Sequence, residues 1–234
     1  MNIGIILARA GSKRIKNKNI KNFFGKPIIY YSIKNAIKSK LFERVYVSTD
    51  SAKIKKIAEK YGALVNNLRP KKYSSDTTST QSVIRYEIKR SKKLFNNKNL
   101  NICCIYATAP LMKIKNLKQG LKLLKKRKNL FIFPAVKFSK SVQRAFVENS
   151  KQIVSFLIPK YRLRTSQKLN NCYFDSGQFY WASAKTWLTK PFLKASKIIE
   201  IKSIDAQDLD NINDWKKLKI KFYNAKKKNL NIRL

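Results

Sequence analysis

The sequence contains no histidine. Without imidazole there can be no histidine general base and no Ser-His-Asp triad. A metal site with histidine ligands is excluded for the same reason. The hydrolases and metalloenzymes that depend on imidazole are therefore ruled out.

Cysteine is also scarce, and its three positions are Cys103, Cys104 and Cys172. Two of them are adjacent within an apolar run, and no CxxC spacing exists, which favours buried thiols in a reducing compartment over a disulfide framework or a metal site. No apolar run is long enough to span a membrane, and the N-terminal run is too short for a signal peptide. We therefore expect a soluble cytoplasmic protein.

Acidic residues are few, with 12 Asp and Glu against 53 Lys and Arg, for a net charge of +41. Such an excess is typical of nucleic-acid binders. It also arises by compositional drift in an AT-rich genome, and 42 Lys, 11 Arg and 21 Asn fit that origin. We favour drift, because the lysines are scattered over predicted helix surfaces and loops. Charge alone indicates solubility and non-specific binding, not a fold.

The 234 residues, 44% of them hydrophobic, suffice for one domain with a real core. Short apolar runs alternate with segments of helical periodicity, which predicts a mostly parallel α/β sheet covered by helices on both faces. The predicted strands are 3–8, 45–48, 63–65, 102–106 and 130–136. The predicted helices are 29–37, 54–61, 79–95 and 114–124, with regular structure again at 177–183 and 198–204 and a terminal helix after Asp214.

The alternating pattern fails between about 138 and 172, where the chain is polar, strand-prone and poorly periodic. We interpret this segment as an insertion in a single domain spanning 1–234, either a lid or an arm for a partner subunit. Ligands of open α/β sheets bind at the carboxyl ends of the strands. The loops that matter are therefore 9–19, 49–51, 69–80, 106–111 and 205–211.

The loop after the first strand is strongly basic and contains a glycine. Its candidate binding residues are Arg9, Gly11, Ser12, Lys13, Lys18 and Asn19. Backbone amides around a glycine form an anion-binding nest, and Lys and Arg add charge. The loop is neither a Walker A motif nor GxGxxG. In so basic a chain, a solvated turn remains the alternative to a phosphate site.

Four of the seven aspartates fall within ten residues, in the segment SIDAQDLDNIND (203–214). Asp208 and Asp210 are spaced i, i+2, so both side chains point to the same side of an extended segment. Such a pair suits Mg²⁺, which takes one or two carboxylates plus substrate phosphate oxygens. We favour a magnesium site over the alternatives, which are local charge balance and helix N-capping by a neighbour such as Asn211 or Asn213.

Two weaker signals lie between these segments. Arg69-Pro70 is followed by the hydroxyl-rich turn SSDTTST (74–80), which could hold a base or ribose, and YATAP (106–110) closes a predicted strand. Each could equally be an ordinary solvated loop. Together with the basic loop and the carboxylate pair, they indicate a site that binds a nucleotide together with magnesium.

The motifs resemble those of the cytidylyltransferases that activate nine-carbon acidic sugars, the CMP-sialic acid synthetase family. ARAGSKRIKNKNI (8–20) is similar to the family signature ARGGSKRIPRKNI, and VSTDSAKI, LRPKKYSSDTTST and DLDNINDW follow in the family's order. NFFGKPIIYYSI, CCIYATAP, QRAF, SQKL and DSGQFYW resemble the branch that activates pseudaminic acid. The chain departs from the family at Leu7 and Ala10, and from the branch at Thr165 and Phe174, which lie toward the sugar side.

The resemblance implies a Rossmann-like, GT-A-like nucleotidyltransferase fold and transfer of CMP from CTP to a nine-carbon 2-keto acid sugar. It implies a homodimer in which the arm reaches the neighbour's site. The implied roles are triphosphate contacts for Arg9, Lys13 and Lys18, supported by Gly11 and Ser12; cytidine contacts for Asn19, Arg69, Thr80 and Tyr106; magnesium ligation by Asp208 and Asp210; and sugar contacts for Arg144, Gln167 and Gln178. Neuraminic or legionaminic acid is an alternative substrate, and a non-catalytic nucleic-acid-binding domain is the competing class.

Overall fold

The computed structural model describes residues 1–91 and 99–231. Strands in these ranges are β1 (Asn2–Leu7), β2 (Asn22–Phe23), β3 (Lys26–Pro27), β4 (Arg44–Ser48), β5 (Asn101–Tyr106), β6 (Phe131–Lys137), β7 (Phe146–Glu148), β8 (Val154–Phe156), β9 (Tyr173–Asp175), β10 (Phe179–Ser183) and β11 (Ser196–Glu200). The α-helices there are α1 (Ile29–Lys38), α2 (Ala52–Lys60), α3 (Thr80–Arg90), α4 (Ile114–Lys126), α5 (Ala184–Thr189) and α6 (Ile212–Asn231).

One mixed sheet organises the described chain, with strand order β11-β6-β10-β5-β1-β4 and β9 paired to β6. β1 runs parallel to β4 and β5, and β11 runs parallel to β6. β10 is antiparallel to both β5 and β6, so those two strands point the same way. Five strands therefore share one direction, which confirms the predicted mostly parallel sheet, and their carboxyl ends meet at one edge.

Helices cover both faces of this sheet, because alternate residues of each strand face opposite sides. In β5, Cys103 and Ile105 belong to the core under α1, α2 and α4, whereas Ile102 and Cys104 belong to the core under α3 and α5. A third, smaller core packs α6 against Phe23 and the hairpin β2–β3. The buried thiols predicted at Cys103 and Cys104 are confirmed, while Cys172 is only half-buried.

Most predicted elements differ from the structure by only one or two residues at their ends. The predicted strand 63–65 is a single bridge from Leu64 to Tyr46. The predicted helix 79–95 ends at Arg90 in the structure, and its last residues, from 92 onward, lie outside the described residues. Regular structure at 198–204 divides into the end of β11 and a 3₁₀ turn at Ser203–Asp205. Asn211 is a capping residue of α6, since its side-chain oxygen accepts from the amides of Asn213 and Asp214.

The predicted insertion leaves the sheet at the end of β6 and returns at the start of β9. These two strands pair at Lys137 and Tyr173, and the Phe138 amide donates to the Cys172 carbonyl at 2.9 Å, which closes the base of the segment. We call residues 138–172 the arm. Its hairpin β7–β8 forms a separate two-stranded sheet. Within the described ranges, none of the helices combines the length and the hydrophobicity needed to cross a membrane.

Candidate active site at the carboxyl edge of the sheet

Three adjoining pockets lie at the edge where the parallel strands end. The central pocket is lined by Leu7, Arg9, Lys18, Asn19, Arg69, Tyr73, Ser75, Thr78, Thr80, Val83, Tyr106, Ala107 and Thr108. The basic pocket is lined by Arg9, Ser12, Lys13, Arg14, Ile15, Lys18, Asp76 and Asp210. The acidic pocket is lined by Phe174, Asp175, Ser176, Ser203, Ala206, Gln207, Asp208, Asp210, Asp214 and Lys221. Arg9 and Lys18 are shared by the first two pockets, and Asp210 by the last two.

The loop after β1 gathers its cations around one carboxylate. Asp76, from the hydroxyl-rich turn, forms ion pairs with the Arg9 guanidinium and, at 2.9 Å, with the Lys13 amine. Hydrogen bonds from Lys13 and Arg9 lower the pKa of Asp76. Because these two cations already hold an oxyanion, the loop can bind an anionic group supplied by a ligand. Sequence analysis did not single out Asp76.

The backbone of the same loop is fixed by short hydrogen bonds. The Ala10 amide donates to Asp50 at 2.8 Å, the Arg9 guanidinium donates to the Gly11 carbonyl at 2.8 Å, and the Asn19 amide group donates to the Arg9 carbonyl at 2.9 Å. Asn19 is buried, so its position depends on the fold. The structure thus brings together all six candidate residues of the predicted phosphate loop.

Lys18 connects the basic loop to the aspartate segment. Its amine donates to the Leu209 carbonyl at 2.8 Å, between Asp208 and Asp210 in the chain. Burial lowers the pKa of Lys18, while the two nearby carboxylates oppose this shift. The side chain therefore lies where a cation faces both the central pocket and the carboxylates.

Of the four clustered aspartates, Asp208 and Asp210 differ in environment from the other two. Asp205 is buried and pairs with Lys113 at 2.6 Å, and Asp214 accepts from the amides of Asp210 and Asn211. Asp210 pairs with the Arg14 guanidinium at 2.7 Å, and Asp208 accepts from the Leu209 amide at 2.8 Å. The structure thus assigns structural contacts to Asp205 and Asp214.

The carboxylate pair fits a magnesium ion whose remaining ligands come from a substrate. Within residues 1–91 and 99–231, no group of three or more Cys, Asp or Glu side chains forms a complete metal cage. Mg²⁺ does not need one, since it is bound through one or two carboxylates plus phosphates. Gly177 has φ +63°, and a Cβ at this position would lie 3.3 Å from the nearer Asp208 oxygen. The absence of a side chain there leaves the Asp208 carboxylate accessible.

Arg69 is 4% exposed and forms part of the wall of the central pocket. Its guanidinium donates to Ser74 at 3.1 Å and to Ser48 at 3.2 Å, and Ser48 donates to Glu87 at 2.6 Å. Burial lowers the pKa of Arg69, and the nearby carboxylates of Asp50 and Glu87 oppose this shift. The buried network fixes Arg69 as a rigid element of the pocket.

At the other end of the central pocket, Thr80 and Tyr106 form a hydroxyl pair, with an oxygen–oxygen distance of 2.9 Å. Burial raises the pKa of Tyr106 to about 12. Behind it, the buried Tyr180 hydroxyl donates to Asp175 at 2.7 Å, and the Gly177 amide donates to the other Asp175 oxygen at 2.9 Å. Burial raises the pKa of Asp175, and these two donors oppose the rise. Sequence analysis gave Asp175 and Tyr180 no role, although both lie in the DSGQFYW motif (175–181).

The three predicted sugar-contact residues lie in different places. Gln178 is 2% exposed, and its amide donates to the Asp205 carbonyl at 2.6 Å. Through this bond the Gln178 side chain holds the aspartate segment, and a sugar contact of Gln178 stays a prediction. Arg144 and Gln167 are exposed on the arm and line none of the three pockets.

Comparison with known proteins identifies the family of this chain. A cytidylyltransferase family model matches residues 3–181. A pseudaminic acid cytidylyltransferase of Campylobacter jejuni is 38% identical over 94% of this chain and 95% of its own length. An N-acylneuraminate cytidylyltransferase of Danio rerio is 32% identical over 90% of this chain and 48% of its own.

Similarity extends to solved structures. A CMP:2-keto-3-deoxy-manno-octonic acid synthetase solved with CTP superposes with a TM-score of 0.71, covering 96% of this chain and 99% of the other at 14% identity. At that identity the likeness concerns the fold alone. The family model and the full-length relatives carry the assignment, and the chain belongs to the cytidylyltransferase family.

Proposed function

We propose that this chain transfers CMP from CTP to pseudaminic acid and releases pyrophosphate. The observation that supports this most is the adjacency of the three pockets. Cations of the basic loop lie between the central pocket and the carboxylate pair, with Lys18 next to both. The identity to pseudaminic acid cytidylyltransferases over nearly the whole chain supports the choice of sugar.

In this reaction the anomeric hydroxyl of the sugar attacks the α-phosphate in line, and the bond to the leaving pyrophosphate breaks. The chain contributes placement and charge stabilisation. Arg9, Lys13 and Lys18 bind the triphosphate, and Asp76 gives up its ion pairs to the phosphate oxygens. Asn19, Arg69, Thr80 and Tyr106 border the cytidine. The excess of positive charge attracts both anionic substrates.

Asp208 and Asp210 would hold Mg²⁺ in this proposal. When bound, the ion neutralises phosphate charge and lowers the pKa of a hydroxyl near it. Arg14 pairs with the Oδ1 atom of Asp210 and lines the basic pocket, so it would lie beside the phosphates in this proposal.

The arm supports a homodimer. It exposes large apolar side chains, namely Phe146, Ile153, Val154, Leu157 and Leu163, the last of which is 86% exposed. Several large exposed apolar side chains on one segment are typical of an interface between subunits, and a second copy offers a symmetric partner. Arg144 and Gln167 lie on the same arm. In the dimer that we propose, the arm of one subunit places them beside the sugar bound by the other subunit. An enzyme that uses CTP needs a compartment that supplies CTP. The cytoplasm does so, and it also keeps thiols such as those of Cys103 and Cys104 reduced.

The proposed function is tested by following pyrophosphate release with CTP, magnesium and a panel of nine-carbon acids. We expect release only when all three components are present, and the highest kcat/KM with pseudaminic acid. Faster turnover of neuraminic or legionaminic acid would contradict the choice of sugar. Failure to turn over any acid, together with nucleic-acid affinity that falls steeply with salt, would indicate a binding protein.

The magnesium proposal predicts that Asp208→Asn and Asp210→Asn each lower kcat by about 10²-fold or more, the scale for losing preorganised charge stabilisation at phosphate. Asp205→Asn removes the ion pair to Lys113, so it should mainly lower thermal stability. Rates are measured across a magnesium titration, with the exposed Glu59→Gln as control. Near-normal rates of both site variants at limiting magnesium would rule out the metal assignment.

Lys18→Ala should reduce kcat by about 10²-fold or more, because a placed cation stabilises the developing charge more than the ground state. Lys16 is an exposed lysine two residues away, and Lys16→Ala should be nearly silent. Steady-state rates of the two variants distinguish an effect of the position of Lys18 from an effect of the overall positive charge. Equal losses would mean that overall charge, not the position of Lys18, matters.

The dimer proposal predicts that Arg144→Ala raises the KM for the sugar far more than the KM for CTP, and that Arg144→Lys rescues only in part. A guanidinium can bind a carboxylate through two parallel hydrogen bonds, and an ammonium cannot. Mixing the inactive Lys18→Ala and Arg144→Ala variants should restore activity, since a heterodimer regains one intact site. Absence of recovery in subunits shown to exchange would place Arg144 outside the neighbour's site.

A further inference from the structure

A buried carboxylate is joined to the wall of the central pocket, although it lines none of the three pockets itself. Glu87, on α3, is 5% exposed. One of its oxygens accepts from the Ser48 hydroxyl at 2.6 Å, and the other accepts from the Arg90 guanidinium at 2.7 Å. Ser48 in turn accepts from the Arg69 guanidinium at 3.2 Å. Two hydrogen bonds therefore connect Glu87 to a side chain that lines the central pocket.

We infer that Glu87, acting through Ser48, fixes the Arg69 guanidinium in the orientation in which it binds the nucleoside part of the nucleotide. This inference rests on the proposed function, which places cytidine beside Arg69 in the central pocket. Glu87 and Ser48 line no pocket and touch no ligand in this scheme. Both are therefore positioning residues, and Arg69 is the residue through which they act.

The direction of each hydrogen bond follows from the protons that are available. A carboxylate in an ion pair only accepts, and a serine hydroxyl has one proton to donate. Glu87 is paired with Arg90, so the Ser48 proton goes to Glu87. The Ser48 oxygen then remains as an acceptor, and the guanidinium of Arg69 can only donate. Glu87 thereby makes Ser48 a pure acceptor for Arg69.

A second serine holds the Arg69 guanidinium in the same way. The Ser74 hydroxyl donates to the Pro70 carbonyl at 3.2 Å, and its oxygen accepts from Nε of Arg69 at 3.1 Å. The backbone amide of Arg69 donates to the Thr49 carbonyl at 2.7 Å, next to Ser48 at the end of β4. The backbone and the guanidinium of Arg69 are therefore both held by other parts of the fold.

The rest of the guanidinium is available to a ligand. Arginine has N–H groups at Nε, Nη1 and Nη2. Within residues 1–91 and 99–231, Nε and Nη1 of Arg69 have hydrogen-bond partners and Nη2 has none. Because Arg69 lines the central pocket, its unused N–H groups can donate to acceptor atoms of a base or ribose. A side chain that is held before the ligand arrives loses less conformational entropy on binding, so its orientation contributes to affinity.

The phosphate end of the nucleotide is held by other residues. In the proposed function Arg9, Lys13 and Lys18 bind the triphosphate, and Arg69 does not line the basic pocket that these cations form. Loss of the orientation of Arg69 should therefore weaken the binding of a nucleoside triphosphate without weakening the binding of a bare polyphosphate. A general loss of folded structure should weaken the binding of both.

The test measures the dissociation constants of CTP and of inorganic tripolyphosphate by calorimetry, without any sugar. Ser48→Ala removes the hydroxyl between Glu87 and Arg69. Glu87→Gln replaces one acceptor oxygen by an amide nitrogen that only donates, so Ser48 or Arg90 loses its acceptor. Each variant should raise the dissociation constant of CTP about tenfold, the scale of a hydrogen bond to a charged group, and change that of tripolyphosphate less than about twofold. In steady state, the KM for CTP should rise far more than kcat falls.

Arg85→Met is the matched control. Arg85 lies on the same helix and also ties it to the rest of the fold, because it donates to the Trp187 and Lys190 carbonyls at 2.9 Å and 3.3 Å. These hydrogen bonds do not involve Ser48 or Glu87. Both dissociation constants should therefore equal those of wild type, even where thermal stability falls.

Equal weakening of CTP and tripolyphosphate in the Ser48 and Glu87 variants would show a purely structural role and overturn the inference. Unchanged CTP binding in both variants would overturn it as well, and so would an equal and selective loss of CTP binding in Arg85→Met. If Glu87→Gln fails to fold, Ser48→Ala decides the outcome by the same measurement.

Failure of the inference and failure of the proposed function give different results. Selective weakening of CTP in both variants, with no turnover of any nine-carbon acid by wild type, would support the inference and contradict the proposed reaction. Turnover of pseudaminic acid, with equal CTP affinities of wild type and variants, would overturn the inference alone. Absence of CTP binding by wild type would contradict both.

Discussion

The hydrogen bond from the Lys18 amine to the Leu209 carbonyl joins segments that are 191 residues apart in sequence, and it holds the two sides of the candidate site together. It draws the basic loop after β1 against the aspartate segment before α6. A buried amine costs free energy unless its surroundings stabilise the charge. The carbonyl and the carboxylates of Asp208 and Asp210 supply that stabilisation, so the contact is both a structural tie and the centre of the site.

Carboxylates in this chain are few, and several of them hold cations of the site in place. Asp76 pairs with Arg9 and Lys13, and Asp210 pairs with Arg14. These pairs are partly exposed, so each contributes little to stability. Their consequence is positional, because they keep the cations directed toward the pockets before any substrate arrives. In the proposed reaction, phosphate oxygens of the nucleotide would take the place of Asp76 on Arg9 and Lys13.

The sheet explains why such distant segments meet. β1, β4, β5 and β6 end at the same edge, and the antiparallel β10 begins there, so the segment Asp175–Gln178 enters beside the end of β5. The Tyr106 amide donates to the Gln178 carbonyl at 2.9 Å, which locks that approach. A single reversed strand thus brings Tyr180 against Tyr106 in the wall of the central pocket.

Most strands and helices, and both charged loops, can be predicted from local patterns of residues. Apolar periodicity is a local property, so strands such as β1 and β5 and helices such as α1 and α4 could be predicted to within a few residues. The basic loop and the Asp208–Asp210 pair were visible because their residues are neighbours in the chain. In contrast, α6 begins at Ile212, whereas the terminal helix was predicted only after Asp214, because the Asn211 cap depends on backbone geometry.

Which polar groups contact one another depends on the tertiary structure. The pairing of Asp76 with Arg9, the bond from Gln178 to the Asp205 carbonyl and the contact between the Thr80 and Tyr106 hydroxyls join residues that lie far apart in the chain. Hydrogen bonds and ion pairs act over a few ångströms in space and leave no periodic trace in the chain. Their partners emerge only when the sheet, the crossover helices and the return of the chain at β10 have fixed the edge at which they meet.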